Sequence, residues 1–179
     1  MDVFESCRIV NSLLTVGQEA AARDELIKLL AGIDDEETTA YTPLVNRLIR
    51  DVGLYPYIDV ATAGWEDRYV HEAFKTDVGE SAPVTLHLEQ RRLLDGLLSG
   101  RNIAVSAPTS FGKSFVIDAF IALKHPRNVV ILVPTIALAD ETRRRLQRKF
   151  GDSYKIITTA DQPIALANIF IFPQERAIG

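Results

Sequence analysis

The residues best equipped for chemistry lie in one stretch, Ser-Ala-Pro-Thr-Ser-Phe-Gly-Lys-Ser, at 106–114. Gly112 lets successive backbone N–H groups curl around an anion with no side chain in the way. Lys113 can reach the β- and γ-phosphates of a nucleotide, and the Ser114 hydroxyl can ligate Mg2+. The sequence that follows, Ser-Phe-Val-Ile-Asp-Ala-Phe-Ile-Ala-Leu-Lys, forms a helix whose positive N-terminal end faces the same phosphates. These are the parts of a phosphate loop, usually G-x-x-x-x-G-K-[ST], except that Ala107 stands where the first glycine is usual. A turn with a purely structural task has no need of a lysine at its centre. The chemistry expected is binding of ATP with Mg2+.

A phosphate loop needs a strand before it and a helix after it. From residue 100 onward, short apolar runs alternate with amphipathic stretches. Strands are expected at 102–107, 128–134, 154–159 and 168–172. Helices are expected at 113–124, before His125-Pro126, and at 136–150. β-branched runs separated by helices of this length predict an α/β domain with a largely parallel sheet.

Ala107 gains its meaning from these surroundings. A-x-T-x-x-G-K-[ST] is the form of motif I in superfamily 2 helicases, and Ala-Pro-Thr-Ser-Phe-Gly-Lys-Ser resembles it at every fixed position. In the DEAD-box relatives a glutamine lies 17 residues before that alanine; here Gln90 has the spacing, followed by Leu94, Leu98 and Gly100-Arg101. The resemblance implies a RecA-like domain in which Ala107, Pro108, Thr109, Ser110, Phe111, Gly112, Lys113 and Ser114 cradle ATP, with Ser114 on Mg2+. It also implies that Gln90 reads the adenine edge, a task suited to an amide that donates and accepts at once. The usual Pro-Thr-Pro before the glutamine is replaced by Leu-His-Leu-Glu, which looks more like the Ski-like and DEAH-type relatives.

Two further stretches extend the resemblance over residues 85–179. Pro-Thr-Ile-Ala-Leu-Ala-Asp-Glu at 134–141 is similar to motif Ia through Pro134, Thr135, Leu138 and Glu141. In that family this turn holds a nucleic-acid backbone, and amides at a helix start together with a hydroxyl suit phosphate. The same helix carries Arg143, Arg144, Arg145, Arg148 and Lys149. These bases either contact DNA or RNA or complement the negative end of their own helix in solvent. Residues 168–177 look like the strand and turn of the T-P-E-R motif through Pro173, Glu175 and Arg176, although the threonine is missing and Gln174 intrudes. An acidic D-E-x-[DH] motif, S-A-T and a second RecA-like domain do not follow within the sequence, so a fragment is expected: residues 81–179 as the first part of the helicase ATP-binding domain.

Residues 1–80 read differently. Phe4, Ile9, Val10, Leu13 and Leu14 fall at helical spacing before Gly17, residues 19–32 are rich in helix formers and end at Gly32, and Thr42-Pro43 opens a third helix that stops at Gly53. A short helix is expected over 64–74, and Asp34, Asp35, Glu36 and Glu37 as a solvated loop. His71 and His87 have no partner at ligand spacing and read as surface or packing residues. This all-helical module holds 16 acids against 7 bases, whereas residues 81–179 hold 8 acids against 13 bases. Only the second part suits a polyanion; the acidic first part offers itself to a protein partner.

The 179 residues are 47% hydrophobic and 25% charged, which excludes collagen, coiled coil and general disorder. No apolar run approaches the roughly 20 residues of a membrane span. The acidic start Met-Asp-Val-Phe-Glu does not resemble a signal peptide, and Cys7, the sole cysteine, excludes an internal disulfide; a cytoplasmic protein is expected. Two other readings stay open: a phosphate-loop NTPase of another class, and a non-catalytic interaction module with a vestigial loop.

Overall fold

A computed structural model describes residues 2–35 and 42–176. The chain divides into two compact units, one made of Met1–Thr76 and Val84–Asp95, the other of Asp77–Pro83 and Gly96–Gly179.

The first unit is helical. The Asp2 carboxylate accepts from the Phe4 and Glu5 amides (3.0 and 3.4 Å) and starts α1, Val3–Thr15. α2 follows over Glu19–Asp35 and α3 over Pro43–Asp51, with Thr42 Oγ1 accepting from the Val45 amide at 3.3 Å. α4 covers Trp65–Ala73. α2 runs three residues beyond the stop expected at Gly32, because an interior glycine costs only about 1 kcal/mol against alanine and Ile33 is buried in the core. Asp34 and Asp35 thus close a helix, while Glu36 and Glu37 lie outside the described residues. Val10, Leu26, Leu29, Val45, Leu48 and Ile49 form the centre of the core. Asn46, fully buried beside them, donates to Thr62 Oγ1 at 3.1 Å and accepts from the Asp59 amide at 2.9 Å. Two short strands that the sequence pattern did not announce, β1 (Lys75–Thr76) and β2 (Val84–Thr85), pair antiparallel. α5, Leu88–Leu98, runs across the division between the units.

The second unit is α/β. β3 (Asn128–Val133), β5 (Asn168–Pro173) and β4 (Lys155–Ile157) form a parallel sheet in the order β3-β5-β4. α6 spans Lys113–Lys124 and α7 Ile136–Phe150. Ile169 and Ile171 of β5, Ile156 of β4 and Val133 of β3 share a core with Ile121 of α6 and Leu146 and Phe150 of α7. Register is fixed at the strand starts, where Asn168 donates to Asn128 Oδ1 and to the Ala165 carbonyl, both at 2.9 Å. The protein is therefore a helical N-terminal part followed by an α/β part with a parallel three-stranded sheet, the arrangement of a partial RecA-like domain.

One expected strand is absent. Residues 102–107 carry no strand, and Ile103 and Val105 are exposed. β-branched composition qualifies a segment for a sheet, but its backbone groups need a ladder partner, and among the described residues none is offered. β3 is the edge strand on one side of the sheet, and its outward residues Val130 and Leu132 are 63% and 52% exposed.

That asymmetry sets a test. Leu146→Ala removes a fully buried side chain and should cost about 2–5 kcal/mol in urea unfolding. Leu132→Ala should stay within about 0.5 kcal/mol. Equal costs would show that the outward face of β3 is covered after all.

Candidate functional site

The loop at 106–114 is built around one backbone conformation. Pro108 leads into a single 3-10 turn, Thr109–Phe111, closed by the Phe111 amide donating to the Pro108 carbonyl at 3.1 Å. Gly112 then sits at φ 76°, ψ 36°, the left-handed region that a residue with a Cβ enters at a cost of about 1–2 kcal/mol. α6 begins at the next residue with no side-chain cap; the Phe115 amide donates to the Gly112 carbonyl at 2.9 Å, and the positive end of the helix faces whatever anion approaches. The Lys113 ammonium folds back on the loop and donates to the carbonyls of Ala107 at 2.7 Å and Pro108 at 2.8 Å. Those two carbonyl oxygens occupy the positions around the ammonium that phosphate oxygens could take. Ser110 and Ser114 are exposed on the same turn. The side chain of Thr109 lies outside the described residues.

Backbone geometry, cation and hydroxyl thus fit the phosphates of a nucleotide with Mg2+. Among the described residues, no group of three or more His, Cys, Asp or Glu side chains could hold a metal ion by itself. Ser114 offers one hydroxyl that could ligate a nucleotide-bound Mg2+.

Gln90 belongs to the first unit and the loop to the second. Gln90 is only 7% exposed and starts α5: its Oε1 accepts from the His87 amide at 3.2 Å, and its own amide donates to His87 Nδ1 at 3.3 Å. This reciprocal pair is a capping box. It gives His87 a structural task, as expected from its lack of ligand partners. His71, the other histidine read as a packing residue, lies 3.2 Å from Thr85 Oγ1.

The motif Ia stretch follows β3 directly. Pro134 is exposed, and Thr135 caps α7, its hydroxyl accepting from the Leu138 amide at 3.2 Å. The hydroxyl proton is still available to an acceptor. The basic run of α7 is largely answered from within the unit. Asp140 receives Arg143 and Arg144 at 2.8 and 2.7 Å, and the Arg143 hydrogen bond holds its carboxyl below the usual range. Asp118, on α6, receives Lys149 at 3.0 Å and faces Arg145 at 3.5 Å. Arg143 nevertheless borders a cleft of about 180 Å3 with Ile136, Thr158, Thr159 and Pro173, at the carboxyl ends of β4 and β5. Open α/β sheets bind ligands beyond the carboxyl ends of their strands. The side chain of Arg176 lies outside the described residues.

Asp140 was legible in principle, since an acid three and four residues before arginines marks helix pairs. Asp118 was not, because a single acid in an amphipathic helix looks solvated until its neighbours are known.

Two families of known proteins match separate parts of the chain. Residues 1–68 match the anti-bacteriophage protein B N-terminal domain, and residues 88–169 match the DEAD/DEAH box helicase family. Among curated proteins, anti-bacteriophage protein B of Escherichia coli (strain K12) is 35% identical over 157 residues, which cover 86% of this chain and 21% of that protein. No solved structure matches.

Thr135→Ala, which removes the cap, should lower stability by about 1 kcal/mol. Thr135→Ser should restore most of it in the same thermal denaturation. No loss with alanine would mean that the hydroxyl is not needed to start α7.

Proposed function

We propose that this chain is the nucleotide-binding part of an ATP-dependent superfamily 2 motor acting on DNA or RNA in defence against bacteriophage. The observation that carries the reading is Gly112 in the left-handed conformation at the head of α6, with the Lys113 ammonium held on the Ala107 and Pro108 carbonyls. A lysine so placed can exchange two carbonyl oxygens for the β- and γ-phosphate oxygens of a nucleotide. Ser114 supplies one ligand to the Mg2+ that neutralises those phosphates, the amides of residues 110–114 hold them, and Gln90 recognises adenine. Lys113 and Ser114 are the residues nearest the chemistry. Pro134 and Thr135 meet the nucleic-acid backbone, and Arg143 and Arg176 are further candidates for that contact. The defence role is supported by the match of residues 1–68 and by the similarity to anti-bacteriophage protein B. The acidic helical unit suits a protein partner rather than nucleic acid.

The ion pairs of α7 bear on how strongly this chain holds DNA or RNA. With Arg143 and Arg144 on Asp140, and Arg145 and Lys149 on Asp118, few cations are left to neutralise phosphates. Each neutralised phosphate contributes about 0.9 to the log–log salt slope on duplex DNA. A shallow slope and weak binding at physiological salt are therefore expected from fluorescence anisotropy on a labelled oligonucleotide. Nanomolar affinity there would contradict the reading.

Titration with ADP and Mg2+ should show binding that Lys113→Ala abolishes. Unchanged affinity in that variant would overturn the phosphate-loop assignment.

Hydrolysis is a separate matter. Phosphoryl transfer is mostly positioning and charge stabilisation. β3, β4 and β5 lead into Pro134, Thr158 and Gln174, not into the carboxylate that holds Mg2+ from its second side. An arginine finger alone is worth about 10³–10⁵ in rate. The 179-residue chain is expected to show no ATP turnover above background in a phosphate-release assay, with or without nucleic acid. Turnover that disappears with Lys113→Ala would place the missing acid within this chain.

A further inference from the structure

In the first turns of α6, following the phosphate loop, the second unit buries a set of charges. Asp118 lies one helical turn beyond Ser114 and is 1% exposed. Its Oδ2 is 3.0 Å from the Lys149 ammonium, a side chain 4% exposed, and its Oδ1 is 3.5 Å from Arg145. The same ammonium stands 5.2 Å over the ring of Phe115, the residue after Ser114. On its other side it meets Glu80 Oε1 at 2.7 Å. Lys149 is thus held by two residues of the first turns of α6 and by one residue of the segment Asp77–Pro83.

That segment is fastened to the end of α7 at neighbouring positions. Val78 is fully buried. Gly79, at φ 72°, lies so close to Phe150 that a Cβ there would stand 2.5 Å from the ring. Its amide donates to Asp77 Oδ1 at 2.8 Å. In sequence the segment runs between the paired strands β1 and β2.

We infer that Lys149 is a positioning residue for the phosphate loop: it sets the first turns of α6 through Phe115 and Asp118, and it conveys occupancy of the loop to residues 77–83 through Glu80. The inference rests on the nucleotide reading above. Its physical basis is the dryness of the cluster. If so deeply placed an ammonium parted from Asp118, the buried carboxylate would be left with Arg145 alone, at 3.5 Å, a costly change in a dry interior. Lys149 must follow any displacement of α6 that phosphate binding produces. Glu80, the half-exposed partner, then has to move with Lys149 or release it, and either outcome alters how firmly residues 77–83 are held.

Hydrogen exchange with and without ADP and Mg2+ separates the steps. In the 179-residue chain, nucleotide should slow exchange at residues 110–114 and also at 77–82. The slowing at 77–82 should be several-fold, with a ceiling of roughly 100-fold at ligand 100 times Kd, the full linkage factor. Lys149→Met keeps the side-chain length without the charge. It should retain protection at 110–114 and lose the nucleotide-dependent protection at 77–82. Lys149→Arg should restore it. Glu80→Gln, at an exposed carboxylate, should behave like Lys149→Met and serves if that variant does not fold. Nucleotide-dependent protection at 77–82 that survives both Lys149→Met and Glu80→Gln overturns the inference. So does parent protein that is protected at 110–114 and unchanged at 77–82. Absence of protection at 110–114 in the parent protein would overturn the nucleotide reading itself, and the inference with it.

Discussion

A carboxylate sealed inside the α/β unit, Asp118, is the constraint around which much of that unit is arranged. Burial pushes its pKa up, while Arg145 and Lys149 act in the opposite direction. Removing both cations would leave an unpaired charge in a dry interior, an expensive state, and removing either weakens its compensation. Two of the five bases of α7 are therefore turned inward. Lys149 in turn holds Glu80, whose carboxyl its hydrogen bond keeps below the usual range, with Arg148 close enough to help. The sign of the charges on α7 matches a nucleic-acid surface; their geometry shows that much of that charge is answered internally. One buried acid thereby determines how α6 and α7 are tied and where residues 77–83 are fastened.

The phosphate loop obeys a different rule, one of backbone shape. Its single left-handed residue is a glycine, and the turn before it closes on itself through Phe111 and Pro108. Only backbone caps α6, which leaves the helix start directed at an incoming anion. Ala107 stands in place of the usual first glycine, and its backbone carbonyl, which a glycine would present equally, is one of the two acceptors for Lys113.

The helical unit depends on apolar periodicity with one polar exception. Asn46 is surrounded by core residues and fixes the turn around Asp59 and Thr62 through both ends of its amide. Such a residue stabilises only when every polar atom is answered, and here it anchors a loop between α3 and α4. The similarity of residues 1–68 to the N-terminal domain of an anti-phage protein falls on this unit, while the helicase similarity begins at α5.

By itself the sequence determined much of what has a local cause. Helical periodicity with Thr42-Pro43 placed α3, alternation of apolar runs with helices placed β3, α7, β4 and β5, and the demand for a residue free of a Cβ placed Gly112. Each of these follows from neighbours within a few residues, which is the range over which caps, periodicity and backbone freedom operate. Pairing and burial were decided only by the tertiary structure. Residues 102–107 had the composition of a strand, yet composition cannot create a ladder partner, and none is present among the described residues. α2 passed Gly32 because Ile33 found a core to enter. Residues 77–83 joined the α/β unit although the strands on either side of them belong to the helical one. Nothing in the sequence pattern marked Asp118, because Arg145 and Lys149 lie more than 25 positions away and meet it only when α6 and α7 pack. A charge is costly or cheap according to what surrounds it, and for Asp118 those surroundings come from a different part of the chain.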